Sequence, residues 1–246
     1  MTPAILSGGL LPVTLLDSDP ALAPVGARAG RGPRYAERVT VGKPGRCAET
    51  PFLVISLFDN SASVTGGNDP VGQRFLETFI ALARVGGRCR CGRDLAAAIH
   101  FDTPTSGDLS PTPVTKAHRD EIAASLAIPA DGAGISCLGP SLIAAREIAL
   151  RHLHSHRVIL VALTDFELFD DYLDDLAAFP AEVHAVVLRS APPQRLLDAP
   201  EVTVTAIDHA SRPGAVARVL FNAMTRDRAG ARPLPVDKLL QPNRRS

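Results

Sequence analysis

Apolar residues in this chain arrive in short unbroken runs rather than in alternation. Phe52-Leu53-Val54-Ile55-Ser56-Leu57-Phe58 is the first, and runs at 94–101, 157–164, 182–188 and 201–207 follow it. Continuous runs of strand length suit strands covered on both faces, as in parallel sheets. Segments with helical spacing lie between and beyond them, at 70–85, 115–127, 139–153, 171–178 and 211–228. In the first of these, Val71, Phe75, Leu76, Phe79 and Leu82 fall on one face. Asp69-Pro70 supplies its cap and first-turn proline, and Gly86-Gly87 its stop. Ser211 is the expected cap of the last helix. Strands alternating with helices predict an α/β domain with a doubly wound, mostly parallel, Rossmann-like central sheet and helices on both faces.

The pattern fades at both ends. Residues 1–50 are rich in Gly, Pro and Arg and read as an irregular arm with a short strand near Val39-Thr40-Val41. Residues 51–228 form the predicted domain, and 229–246 return to Pro and Arg as a tail. Composition adds exclusions. The formal net charge of zero argues against nucleic-acid binding through bulk charge. No apolar stretch is long enough to cross a membrane as a helix, and the first residues lack the basic start of a signal peptide. The expected compartment is the cytoplasm, with Cys47, Cys89, Cys91 and Cys137 as reduced thiols, since Cys89-x-Cys91 has no matching pair to build a zinc site. Arginine outnumbers lysine 23 to 3, a bias that resembles that of a high-GC bacterium.

The candidate chemistry sits where the first strand ends. Asp59-Asn60-Ser61-Ala62-Ser63 puts one carboxylate and two hydroxyls into a single turn at the rim. Such an all-oxygen, low-charge set suits a hard cation such as Mg²⁺ or Mn²⁺ and leaves it attractive to a further anion. The same residues also suit a turn closed by Asx-type hydrogen bonds. Two later segments have matching character: Gly134-Ile135-Ser136 ahead of a helix, and Thr164-Asp165-Phe166 at the end of another strand.

In that order the three motifs resemble the metal-ion-dependent adhesion site of von Willebrand factor A domains, over about residues 50–228. Asp59, Ser61 and Ser63 match the Asp-x-Ser-x-Ser motif. Ser136 stands where the family usually has Thr, and Phe166 replaces the Gly of Thr-Asp-Gly after Asp165. The resemblance implies a metal held by Asp59, Ser61, Ser63, Ser136 and Asp165, with Asp165 often acting through water. It implies a protein partner whose Asp or Glu completes the coordination. An AAA-type ATPase system is the family context for soluble bacterial examples, with neither nucleic acid nor membrane as a partner.

Other features of the chain bear on the same question. Asp165 to Glu182 carries seven carboxylates and no basic residue, which reads as a solvated face or as an acidic lip beside the metal. His152, His154 and His156 invite a metal reading but have no nearby Cys or carboxylate. His100, His184 and His209 read as structural. A metal-dependent phosphohydrolase would need an acid where Ser61 stands and a lysine at the rim, and Lys43, Lys116 and Lys238 lie elsewhere. No catalytic residue is expected. A metal-free scaffold on the same fold is the remaining alternative.

Overall fold

The computed structural model describes residues 39–65, 71–87, 91–101, 103–132, 134–208, 211–236 and 239–240. The Asp69-Pro70 helix start, Cys89, His209 and most of the N-terminal arm lie outside the described residues. The strands are β1 (Gly42–Lys43), β2 (Phe52–Phe58), β3 (Leu95–His100), β4 (Leu109–Pro113), β5 (Arg157–Thr164), β6 (Glu182–Leu188), β7 (Val202–Ile207), β8 (Arg232–Pro233) and β9 (Leu239–Leu240). The helices are α1 (Ala62–Thr65), α2 (Val71–Gly86), α3 (Arg119–Ser125), α4 (Gly139–His152), α5 (Leu173–Ala177), α6 (Gln194–Leu197) and α7 (Ala215–Thr225). Among the described residues no helix is long and apolar enough to cross a membrane.

The main sheet runs β4-β3-β2-β5-β6-β7-β9. Its five central strands are parallel, and β4 and β9 close the edges antiparallel. Five predicted strands and the helices between them stand where the hydrophobic pattern put them. β4 was not foreseen, because Pro111 and Pro113 argue against a ladder; an edge strand tolerates them. The expected strand at 39–41 forms two residues later, where β1 pairs with β8. Thus 232–233 and 239–240, read as tail, each extend a sheet.

Side chains of β2 alternate between two apolar layers. Phe52, Val54 and Phe58 enter one with Phe75, Phe79 and Phe221. Leu53, Ile55 and Leu57 enter the other with Leu138, Leu142 and Leu176. All seven residues of the strand are buried, which is why its run shows no alternation.

Ser211 does not cap α7. Its hydroxyl instead accepts from the Asp208 N–H, and the helix begins at Ala215 after Gly214, whose φ is +88°. The cap comes from α2: the buried Glu77 carboxylate accepts the Gly214 and Ala217 N–H groups at 2.8 and 3.2 Å. Glu77→Ala would orphan both donors in a buried setting. It is expected to cost about 2–3 kcal/mol, with Glu77→Gln losing less, as read by urea denaturation.

The thiol expectation is corrected. Cys47 is disulfide-bonded, while Cys91 and Cys137 keep their thiols. The chain around Cys47 lies against the segment leading into β3. Arg93 donates to the Ala48 and Glu49 carbonyls, and Asp94 accepts the Phe52 N–H.

Candidate metal site

The sheet order decides the geometry. β2 lies beside both β3 and β5, so successive connections leave in opposite directions from the β2–β5 pair. The carboxyl ends of such a pair open into the crevice where doubly wound sheets bind ligands. Asp59 follows β2 and Asp165 follows β5, and the Asp59 N–H donates to the Leu163 carbonyl at 3.2 Å. The two motif carboxylates therefore leave adjacent strands at one rim.

Asp59 is fully buried, deeper than the rim position expected from sequence. One carboxylate oxygen accepts the Ser61 N–H at 2.8 Å and the other accepts the Thr164 hydroxyl at 2.6 Å. The Asx-turn reading and the metal reading thus share the same atoms. Burial pushes the Asp59 carboxyl above its ordinary value; the Ser61 and Thr164 hydrogen bonds oppose this, and the charge of Asp165 adds to it. In the same turn the Ser61 and Ser63 hydroxyls are hydrogen-bonded to each other at 3.0 Å.

The second loop closes on the first at Gly134, where φ is +71° and a Cβ would lie 3.4 Å from the Asn60 carbonyl. Ser136 follows, nearly buried, and its carbonyl accepts the Phe169 N–H at 2.9 Å. Asp170 accepts the Leu138 and Gly139 N–H groups at the start of α4. The second loop is therefore held between the first and the third.

In the third loop Asp165 accepts the Glu167 N–H at 3.0 Å. Phe166 keeps the left-handed backbone that a glycine would favour, with φ +60°. The strain is of order 1–2 kcal/mol; burial of its ring against Tyr172 and an N–H bond to Thr164 Oγ1 oppose it. The Gly-to-Phe change thus leaves the turn in place. Beneath the rim, the buried Arg74 guanidinium donates to the Asp59 carbonyl at 3.2 Å and the Leu163 carbonyl at 3.4 Å.

Sequence reasoning missed Arg74, the partner role of Thr164, the capping role of Asp170, and Arg189 and Ser190, which touch two of the loops. Arg74 left one signal, a cation on the apolar face of α2 beside Phe75. Other candidates disperse. His152 donates to the Ile148 carbonyl, and His156 bonds Ser155 and the Arg93 carbonyl. Buried His100 bridges Asn60 and the Ser125 carbonyl, and His184 pairs with Glu182. Glu182 lies at the opposite end of the sheet. Burial pushes its carboxyl up, but His184, Arg226 and Arg157 outweigh this and hold it below its usual range. Of the acidic run, Glu167, Asp171, Asp174 and Asp175 remain exposed.

No protein-family model and no curated relative matches the sequence. Solved structures do. The pilus adhesin SpaC of Lactobacillus rhamnosus GG is similar over 74% of this chain and 31% of its own, at 11% identity and a TM-score of 0.54. The likeness is one of fold, an α/β Rossmann-like domain. SpaC in an open conformation gives 12% identity, 74% and 30% coverage, and a TM-score of 0.51. Proximal thread matrix protein 1 of the mussel byssus, in a form with a zinc-occupied MIDAS motif, gives 16% identity, 74% and 48% coverage, and a TM-score of 0.47. The chain spans 30–48% of the length of these proteins.

The donors fit a small hard cation. The Ser61 and Ser63 hydroxyls, now hydrogen-bonded to each other, are oxygen donors of the kind a small hard cation takes. Among the described residues no three His, Cys, Asp or Glu side chains converge on a metal position. The donors are chiefly hydroxyls, which suits Mg²⁺ or Mn²⁺ and not a thiophilic ion.

Proposed function

We propose that this chain is a von Willebrand A-type interaction domain whose rim holds Mg²⁺ or Mn²⁺ and, through it, a carboxylate of a protein partner. The observation that carries this is the convergence of the Asp59 and Asp165 loops at the carboxyl ends of the paired strands β2 and β5, with the Ser61 and Ser63 hydroxyls in the first of them. Ser61, Ser63 and Ser136 would hold the cation through hydroxyl oxygens, and Asp59 and Asp165 would supply the negative charge that balances it. The bound cation would supply net positive charge that draws in one more anionic oxygen.

Binding rather than catalysis is favoured by Asp59 itself. It is fully buried with both oxygens engaged, a poor position for a nucleophile. The rim offers an apolar contact as well. Phe169 is 86% exposed and Ile135 50% exposed, and the backbone joins their loops at Ser136. With Glu167 and Asp171 exposed nearby in sequence, the fitting partner presents a carboxylate beside an apolar recess with basic surroundings. A disulfide persists in an oxidising setting, so Cys47 favours such a compartment over the reducing cytoplasm expected from sequence.

Calorimetric titration tests the metal. Mg²⁺ and Mn²⁺ are expected to bind in the high micromolar to millimolar range, with a stability gain of about 2.7 kcal/mol at 100 times Kd. Neither divalent-specific heat nor a shifted melt would leave the metal-free scaffold as the reading. Partner capture in Mg²⁺ and in chelator then tests the bridge.

A further inference from the structure

A fourth loop reaches the rim from β6, the neighbour of β5 on the side away from β2. Its backbone is pinned: the Arg189 N–H donates to the Ile207 carbonyl and the Ser190 N–H to the Leu188 carbonyl, both at 2.8 Å. From there two side chains divide. The Ser190 hydroxyl donates to the Asp165 carbonyl at 2.5 Å, holding the third loop. The Arg189 guanidinium donates to the Ser63 carbonyl at 3.0 Å, holding the first. Arg189 does this from a left-handed backbone, with φ +69°. A long side chain in that well is strained, and such strain persists where surrounding contacts over-determine it, as they do at functional sites.

The placement has an electrostatic meaning. A guanidinium bonded to the motif's own Ser63 carbonyl sets a fixed positive charge beside the hydroxyl donors. That charge opposes a divalent cation and attracts an anion. Its planar fork also matches a carboxylate better than a lysine would. Resting on the metal reading above, we infer that Arg189 is a specificity-determining residue of the rim: it weakens metal binding alone and strengthens it once a carboxylate enters. Ser190 is the positioning residue that keeps Asp165 in register. Metal and carboxylate must then raise each other's affinity by one common factor.

The test uses the 246-residue chain, Mn²⁺ followed by electron paramagnetic resonance, and acetate as the carboxylate probe. In wild type, acetate is expected to tighten Mn²⁺ binding. Arg189→Gln should bind Mn²⁺ alone about five-fold more tightly, the effect of one unit charge on a divalent ion several ångströms away in water. It should also lose the acetate enhancement. Arg189→Gly provides a second variant that relieves the left-handed strain while removing the charge, and it should show the same two changes. Arg189→Lys should keep the charge effect and only part of the enhancement. Wild-type Mn²⁺ binding left unchanged by Arg189→Gln and Arg189→Gly, with acetate or without, would overturn this inference alone. No Mn²⁺ binding by wild type would overturn it together with the metal reading.

Discussion

Asp94→Ala is expected to lower the unfolding free energy by about 3–5 kcal/mol, the range for breaking a buried ion pair from one side. Asp94 pairs with Arg228, and their side chains are 5% and 1% exposed. The same carboxylate accepts the Phe52 N–H at the start of β2, and Arg228 lies over the Phe52 ring at 5.4 Å. Removing the carboxylate leaves a guanidinium with no anion in a dry site and an orphaned strand N–H. Urea denaturation at neutral pH reads the loss, and a change under about 1 kcal/mol would mean that water replaces the lost partner. The pair sits at the amino ends of the strands, so Mn²⁺ affinity of the folded variant should match wild type.

The second large effect belongs to Asp59. Its folded carboxyl titrates above the ordinary value, chiefly because burial disfavours the charge. Between the unfolded and the raised folded values, the folded state binds more protons than the unfolded chain. Metal-free stability therefore falls as pH rises through that window, and the deficit is complete above it. Asp59→Asn removes the titration while keeping an acceptor for the Ser61 N–H. The variant should melt higher than wild type without metal at neutral pH, should lose that part of the pH slope, and should show no Mg²⁺ or Mn²⁺ shift. Thermal melts across acid to neutral pH, with and without divalent ion, read all three. A metal-induced shift retained in Asp59→Asn would remove this residue from the site. Asp59→Ala is a different experiment: it orphans the Ser61 N–H and the Thr164 hydroxyl in a buried setting, at about 1–3 kcal/mol each.

Local pattern carried most of the fold. The run 52–58 is buried on both faces and reads as such, and Phe75, Phe79 and Leu82 declare the inner face of α2. What the chain order could not supply was neighbourhood. Asp59 and Asp165 become one site only because β2 and β5 are paired, a register set by packing between residues a hundred positions apart. The remote caps share this origin. Glu77 caps a helix other than its own, and Asp170, in the loop after β5, serves the start of α4, so the local signals at Ser211 and in the acidic run pointed elsewhere. Phe166 shows the opposite case: a bulky residue stands in a left-handed turn, yet the turn holds because the ring finds a buried place against Tyr172. β4 was hidden by its prolines, which matter little on an edge.

The pairing of β1 with β8 has a mechanical consequence. The entry to β2 and the exit from α7 are two crossings joined by this ribbon and by the Arg46 N–H on the Ala229 carbonyl, before the chain returns to the sheet edge as β9. Both crossings lie at the amino ends of the strands, with the Arg228–Asp94 and Arg226–Glu182 pairs close by. A pull between the two crossings would load the ribbon and the Arg46–Ala229 bond, which lie at the end of the sheet opposite the Asp59 and Asp165 loops.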